Sequence, residues 1–158
     1  MKKAIAVLIA ASMLSTPAYA ATQEAIDYVQ SEGIIEGDEN GSLNLEDNVT
    51  RAEAAKMLIE ALGIDKDSHS GSPTFSDVDE GSWAYDYIET AAGNGFINGF
   101  EDGTFRPDEY VTYEQAIKMF LGKNMAMSYP AEYVASAIDM ELLDNVSALM
   151  GEKMSRAD

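Results

Sequence analysis

The 158-residue sequence predicts an all-α fold of tandem helix–loop–helix units, the third of them truncated. Three observations predict it. From Trp83 to Ala92 the apolar residues fall at Trp83/Ala84, Tyr87/Ile88 and Ala91/Ala92, the i, i+4, i+8 spacing of an amphipathic helix. Thr50-Arg51-Ala52-Glu53 and Thr112-Tyr113-Glu114-Gln115 both read as capping boxes, in which Thr accepts from the N3 amide and Glu or Gln reaches back. The chain also repeats itself at an offset of 62: Gly33, Ile35, Gly37, Gly41, Val49, Thr50, Lys56 and Met57 meet Gly95, Ile97, Gly99, Gly103, Val111, Thr112, Lys118 and Met119. Such self-similarity marks stacked units that share a core.

Residues 1–20 read as a secretory leader. Lys2-Lys3 forms the positive region, Ala4 to Leu14 the apolar stretch, and Ala18-Tyr19-Ala20 the cleavage site. The apolar stretch is too short to span a bilayer, so no direct membrane insertion is expected after cleavage. Residues 21–64 form a first unit without its opening half. The helix after Thr50 puts Ala54, Met57/Leu58 and Ala61/Leu62 on one face. Residues 65–73 are a polar linker; its His69 has only Ser and Gly neighbours in sequence and is read as having no function.

Residues 74–121 are the complete unit. Ser76-Asp77 is a polar turn between Phe75 and Val78 that accepts backbone N–H groups and starts a helix. Gly93 and Gly95 stop the helix, Phe96-Ile97 returns to the core, and Asp102-Gly103 turns before Phe105. The second helix shows Ala116, Met119 and Phe120 on one face. After a linker at 122–128, residues 129–158 match this unit in part, with Tyr129 for Trp83 and Tyr133 for Tyr87. Glu141 and Asn145 replace the glycines. Ser155-Arg156-Ala157-Asp158 stands where a capping box belongs, three residues early and with no helix behind it, which predicts a chain that continues further.

The order and spacing of Phe75-Ser-Asp-Val78, Trp83-Ala84, Gly95-Phe-Ile-Asn-Gly99, Asp102-Gly-Thr-Phe-Arg-Pro107 and Val111-Thr112 resemble the S-layer homology family. The resemblance implies three units packed as a pseudo-three-fold bundle with grooves between neighbours. It implies a non-catalytic module that attaches an exported protein to the bacterial cell wall through a secondary polysaccharide, often pyruvylated, or through peptidoglycan.

Arg51 sits awkwardly at a helix N-terminus on macrodipole grounds, which suggests a ligand role, and an Arg there is a good receptor for a carboxylate or phosphate. The resemblance places Arg51 in the groove, with Trp83 and Asp77 shaping it. Trp83 is otherwise a core residue and Asp77 otherwise a helix cap. Arg156 stands at the matching position of the third unit. In the second unit Tyr113 replaces the Arg, so that groove loses its fixed positive charge but keeps a ring that can stack on a sugar. Thr50, Glu53, Thr112 and Gln115 are the capping residues.

The formal charge of −18 argues against nucleic acid and anionic membranes as partners. It also opposes long-range approach to an anionic wall polymer, so binding must rest on short-range contacts. Zero Cys excludes a disulfide framework and a thiolate metal site. Residues 36–47 loosely fit a calcium loop with Glu36, Asp38, Asn40 and Asp47 as ligands, but the repeat explains its Gly41 and Leu43 without metal. No cofactor is predicted, and no Ser/His/Asp, Cys/His or His-metal constellation occurs. Alternative readings are a tether between outer membrane and peptidoglycan, the anchor region of a surface enzyme whose chemistry lies outside this chain, and a calcium-dependent interaction module.

Overall fold

A computed structural model describes residues 23–122, 127–143 and 151–156. Residues 1–22, 123–126, 144–150, 157 and 158, which include the expected leader, most of the second linker and Asn145, fall outside the described residues. Among the described residues there are five α-helices and no strand: α1 (Gln23–Ser31), α2 (Arg51–Leu62), α3 (Tyr85–Gly93), α4 (Tyr113–Leu121) and α5 (Ala131–Asp139), with a 3-10 turn at Lys66–Ser68. No helix among them is long and apolar enough to cross a membrane.

Helix α2 is the centre. Thr50 opens it: its hydroxyl accepts from Glu53 N–H at 3.2 Å, and Glu53 Oε2 accepts from Thr50 N–H at 2.9 Å. Gly63 closes it in the left-handed conformation at φ 63°. Ala52, Ala54, Ala55, Leu58, Ile59 and Ala61 are all buried, so α2 is covered on more than one face, and its small residues let α3 and α4 pack closely. Val49, Leu58, Ile59, Phe75, Ile88, Phe105 and Val111 belong to one continuous core. Two satellites flank it: Ile34, Ile35 and Ala61 under α1, and Ile117, Tyr133 and Ala137 between α4 and α5.

Three segments close that core by a ring of hydrogen bonds. Val49 N–H donates to Met154 O at 2.9 Å, Met154 N–H to Val111 O at 3.1 Å, and Val111 N–H to Val49 O at 2.9 Å. A second ring surrounds it: Arg51 N–H to Glu109 O, Tyr113 N–H to Glu152 O, and Arg156 N–H to Asp47 O. Val49, Val111 and Met154 are buried at the centre. Each of the three segments donates to one neighbour and accepts from the other, an approximately three-fold arrangement. The segment at 151–156 therefore has a structural purpose of its own, the closing of this ring.

Backbone geometry recurs with the sequence. Gly33 and Gly95 have φ 71° and 75°, Gly41 and Gly103 have 80° and 79°, and Asn44 and Arg106 have 48° and 60°. Glu141, which replaces the glycine of the other two segments, keeps the same left-handed backbone at φ 59°.

Several expectations are corrected. Helix α3 begins at Tyr85, so Trp83 precedes it and is 59% exposed rather than core. Ser76-Asp77 does not start a helix. Gly93 is the last helical residue, not the stop; Gly95 supplies the left-handed turn. Phe120 is exposed, while Ile117 joins Ala116 and Met119 inside. His69 has a rigid partner after all: its Nε2 lies 2.9 Å from Asp86 Oδ1 on α3, and its ring meets Tyr85 edge-on.

Candidate functional site

Arg51, at the start of α2, and Arg156, in the last described segment, both turn inward. Arg51 is buried among aromatic rings: its guanidinium carbon lies 4.5 Å from the Phe105 ring centre and 4.9 Å from that of Phe100. Its Nε–H donates to Phe105 O at 2.7 Å, and Nη1 lies 3.5 Å from Gln115 Oε1. Burial pushes its pKa down, and the Glu109 charge opposes that. An arginine keeps its proton at neutral pH all the same. Arg51 thus has a structural job that accounts for its place at the helix start.

Arg156 repeats this arrangement. Its Nε–H donates to Leu43 O at 2.8 Å, Nη1 to Glu53 Oε1 at 2.8 Å and Nη2 to Glu36 O at 2.8 Å. Leu43 and Phe105 are partners in the 62-residue repeat, so the two arginines grip equivalent carbonyls.

Each arginine lines a groove. The Arg51 groove, about 160 Å³, has Asn98, Phe100, Gln115, Lys118 and Tyr129 in its walls. The Arg156 groove, about 510 Å³, has Glu36, Glu53, Lys56, Trp83 and Tyr87. The two correspond position by position. Lys118 answers Lys56, Gln115 answers Glu53, Asn98 answers Glu36, and Tyr129 answers Trp83. Each groove presents an arginine, a lysine and an aromatic ring, a combination suited to a polar ligand with a flat apolar face. Lys118 Nζ stands 5.2 Å from the Tyr129 ring centre, and burial raises the Tyr129 pKa.

The sequence reading paired Arg51 with Trp83. The structure separates them: Trp83 shares its groove with Arg156, and Arg51 shares its own with Tyr129. Each groove takes its aromatic residue from one segment and its arginine from another far along the chain, which adjacency in sequence does not reveal. Asp77 lines neither groove. Its carboxylate accepts from Phe105 N–H and Arg106 N–H, both at 2.7 Å, and so braces the turn that Arg51 grips. Tyr113 packs against the main core and lines neither groove. A third groove built on Tyr113 would draw on residues 142–146, of which 144–146 lie outside the described residues.

The other capping box is looser. Thr112 N–H donates to Gln115 Oε1 at 3.3 Å, and the buried Thr112 hydroxyl makes no hydrogen bond of good geometry among the described residues. Lys56, Lys118 and Tyr129 were missed as site residues. The signal was available, since the lysines are identical partners in the repeat and Tyr129 aligns with Trp83.

Residues of the calcium-loop reading are engaged in bonds of their own. Asp38 Oδ1 accepts from Asn40 and Ser42 N–H and Oδ2 from Asn44, bonds that hold its pKa below the usual carboxylate range. Glu36 pairs with Lys56. Asn40 donates its backbone N–H to Asp38, and the Asp47 carbonyl accepts from Arg156 N–H. Among the described residues no three acidic or histidine side chains converge as a metal site would require.

The S-layer homology domain model matches residues 16–55 and 74–117. The chain belongs to this family. It is 28% identical over 104 residues to a surface layer protein of Brevibacillus choshinensis, a match covering 65% of this chain and 9% of that protein. It is 36% identical over 80 residues to a cellulosome-anchoring protein of Acetivibrio thermocellus, covering 49% of this chain and 18% of that one. An endo-1,4-beta-xylanase A of Thermoanaerobacterium saccharolyticum is 36% identical over 94 residues, 59% of this chain and 8% of the enzyme. The chain therefore spans only a small part of these relatives' length.

Proposed function

We propose that this S-layer homology chain is a non-catalytic module that attaches an exported protein to the bacterial cell wall. It would hold a secondary wall polysaccharide in the Arg51 and Arg156 grooves. The observation that carries this reading is the pair of matched grooves, each with a guanidinium, a lysine and an exposed aromatic face. Surface-layer and cellulosome-anchoring relatives support a place at the cell surface. In this reading residues 1–20 are the export leader, 21–64 and 74–121 two units, and 129–158 a third, partial one. Trp83 and Tyr129 stack on sugar rings, and the arginine and lysine of each groove bind hydroxyl or carboxylate oxygens. With a formal charge of −18, attraction is confined to contact range.

Co-sedimentation with purified sacculi tests it, before and after hydrofluoric acid removes the secondary polysaccharide. The expected result is pelleting that is lost on stripping, survives moderate salt, and weakens on Lys118→Ala or Trp83→Ala. These two side chains hold no part of the core, unlike Arg51. Pelleting that survives stripping would assign the module to peptidoglycan, and no pelleting would refute attachment.

A further inference from the structure

The two grooves share their plan but not their charge. In the Arg156 groove every cation already has an anionic partner. Arg156 donates to Glu53 at 2.8 Å, Lys56 pairs with Glu36, and Lys66 with Asp67 at 2.7 Å. Two of those acids, Glu36 and Glu53, stand in the groove wall. In the Arg51 groove the same two positions carry Asn98 and Gln115, and no carboxylate lines the wall among the described residues. Arg51 donates to a backbone carbonyl and lies near an amide oxygen, while Lys118 faces the Tyr129 ring. Among the described residues neither cation has a carboxylate within ion-pair distance; Glu109 and Asp77 act on Arg51 only from farther away.

Size follows the same division. The space beside Arg51, about 160 Å³, is the size of a small charged substituent, and that beside Trp83, about 510 Å³, is the size of a sugar residue. An anion entering the Arg51 groove meets two positive charges in a partly desolvated site, where attraction is strong. An anion entering the Arg156 groove must compete with two carboxylates already there, at a cost in like-charge repulsion.

We propose that the grooves divide the ligand between them: the Arg51–Lys118 groove takes the carboxylate-bearing sugar, and the Arg156–Trp83 groove takes an uncharged one. This rests on the polysaccharide reading above. Asn98 and Gln115 are the residues that set the selectivity, by being neutral where Glu36 and Glu53 are charged.

The test uses two small probes and nuclear magnetic resonance of the full chain. One probe is a methyl hexoside carrying a 4,6-carboxyethylidene ketal; the other is its methyl ester, equal in shape but neutral. At the Lys118 and Asn98 amides the acid is expected to bind at least about tenfold more tightly than the ester, the worth of one ion pair in a partly buried site. At the Trp83 indole the ester should bind more tightly than the acid. The double variant Asn98→Glu/Gln115→Glu should bring the ratio at the first groove to about one or lower. Glu fits the capping role there, as Glu53 shows at the equivalent position. Glu36→Asn should raise acid binding at Trp83. Equal preference in both grooves, a ratio untouched by the double variant, or no response to either probe would overturn the division. The probes read the grooves directly. A chain that pellets with sacculi but treats acid and ester alike loses this inference alone, and a chain that fails to pellet loses the attachment reading.

Discussion

The Nε–H of Arg156 donates to the carbonyl oxygen of Leu43 at 2.8 Å, joining the last described segment to the first loop. Arg51 makes the same bond to Phe105 at 2.7 Å. Together with the Val49–Met154–Val111 ring, these bonds close two loops through arginines from distant segments of the chain. The loops so closed form the groove floors, so the same two arginines tie stability to the proposed binding surface.

Arg156→Ala should therefore act far from its own position. It removes side-chain bonds to Leu43 O, Glu36 O and Glu53, on a side chain only 16% exposed. A loss of about 2–3 kcal/mol is expected in urea unfolding, since the carbonyls and Glu53 are left without that partner. Arg156→Lys should recover little, because one ammonium cannot reproduce the planar fork.

Asp77 makes a narrower prediction. Its two oxygens receive Phe105 and Arg106 N–H, and Arg106 sits at φ 60°, a backbone that a non-glycine residue adopts only when held. Asp77→Ala should cost about 1–2 kcal/mol in the same assay, discounted because the residue is solvent-exposed. Amide exchange should rise at Phe105 and Arg106 before it rises in α2.

Two glycines should respond in opposite directions. A Cβ on Gly99 would lie 2.5 Å from the Phe75 ring and 2.5 Å from the Thr104 carbonyl oxygen, and a backbone oxygen cannot step aside. Gly99→Ala should destabilise by about 1–3 kcal/mol. Gly93, at the end of α3, has open space where the Cβ would go. Gly93→Ala should raise the thermal midpoint, by up to about 1 kcal/mol of stability, through helix propensity.

Acid should destabilise the chain over a definite window. The Thr104 hydroxyl and N–H, with Arg106, hold the Asp102 carboxyl down to about 2, against an ordinary value of 3.8. Asp38 is lowered by its turn amides, and Asp86 by His69 and Lys66. A depressed native pKa means that the unfolded chain binds the proton first. This stabilisation is therefore complete above about pH 4 and is lost as pH falls toward about 2. The thermal midpoint should fall through that interval, and Asp102→Asn should make the fall shallower.

Much of the fold was legible because it is local. The capping box at Thr50 and Glu53, the left-handed stop at Gly95, and the apolar spacing of α2 follow from short-range chemistry. The 62-residue offset also paired Lys56 with Lys118 before any contact was known. The missing part was long-range. Nothing near Trp83 in sequence says that its groove partner is Arg156, because only the closed ring brings the chain's far segment onto the first loop. Asp77 was legible as an acceptor of backbone N–H groups but not as to which, since its amides lie nearly thirty residues away and no helix starts there. Trp83 itself was ambiguous, since a lone large aromatic at a helix start fits both a core and an open groove wall.

The central claim, that these grooves bind wall polysaccharide, is tested most directly by Trp83. It is the only tryptophan, is 59% exposed, and lines the Arg156 groove, so its fluorescence reports that wall without interference. Titration with polysaccharide released from sacculi by hydrofluoric acid should shift the emission to shorter wavelength and protect the indole from acrylamide. Saturable protection is the predicted result. Emission and quenching that stay unchanged up to polysaccharide concentrations at which the chain is fully retained on sacculi would contradict the account.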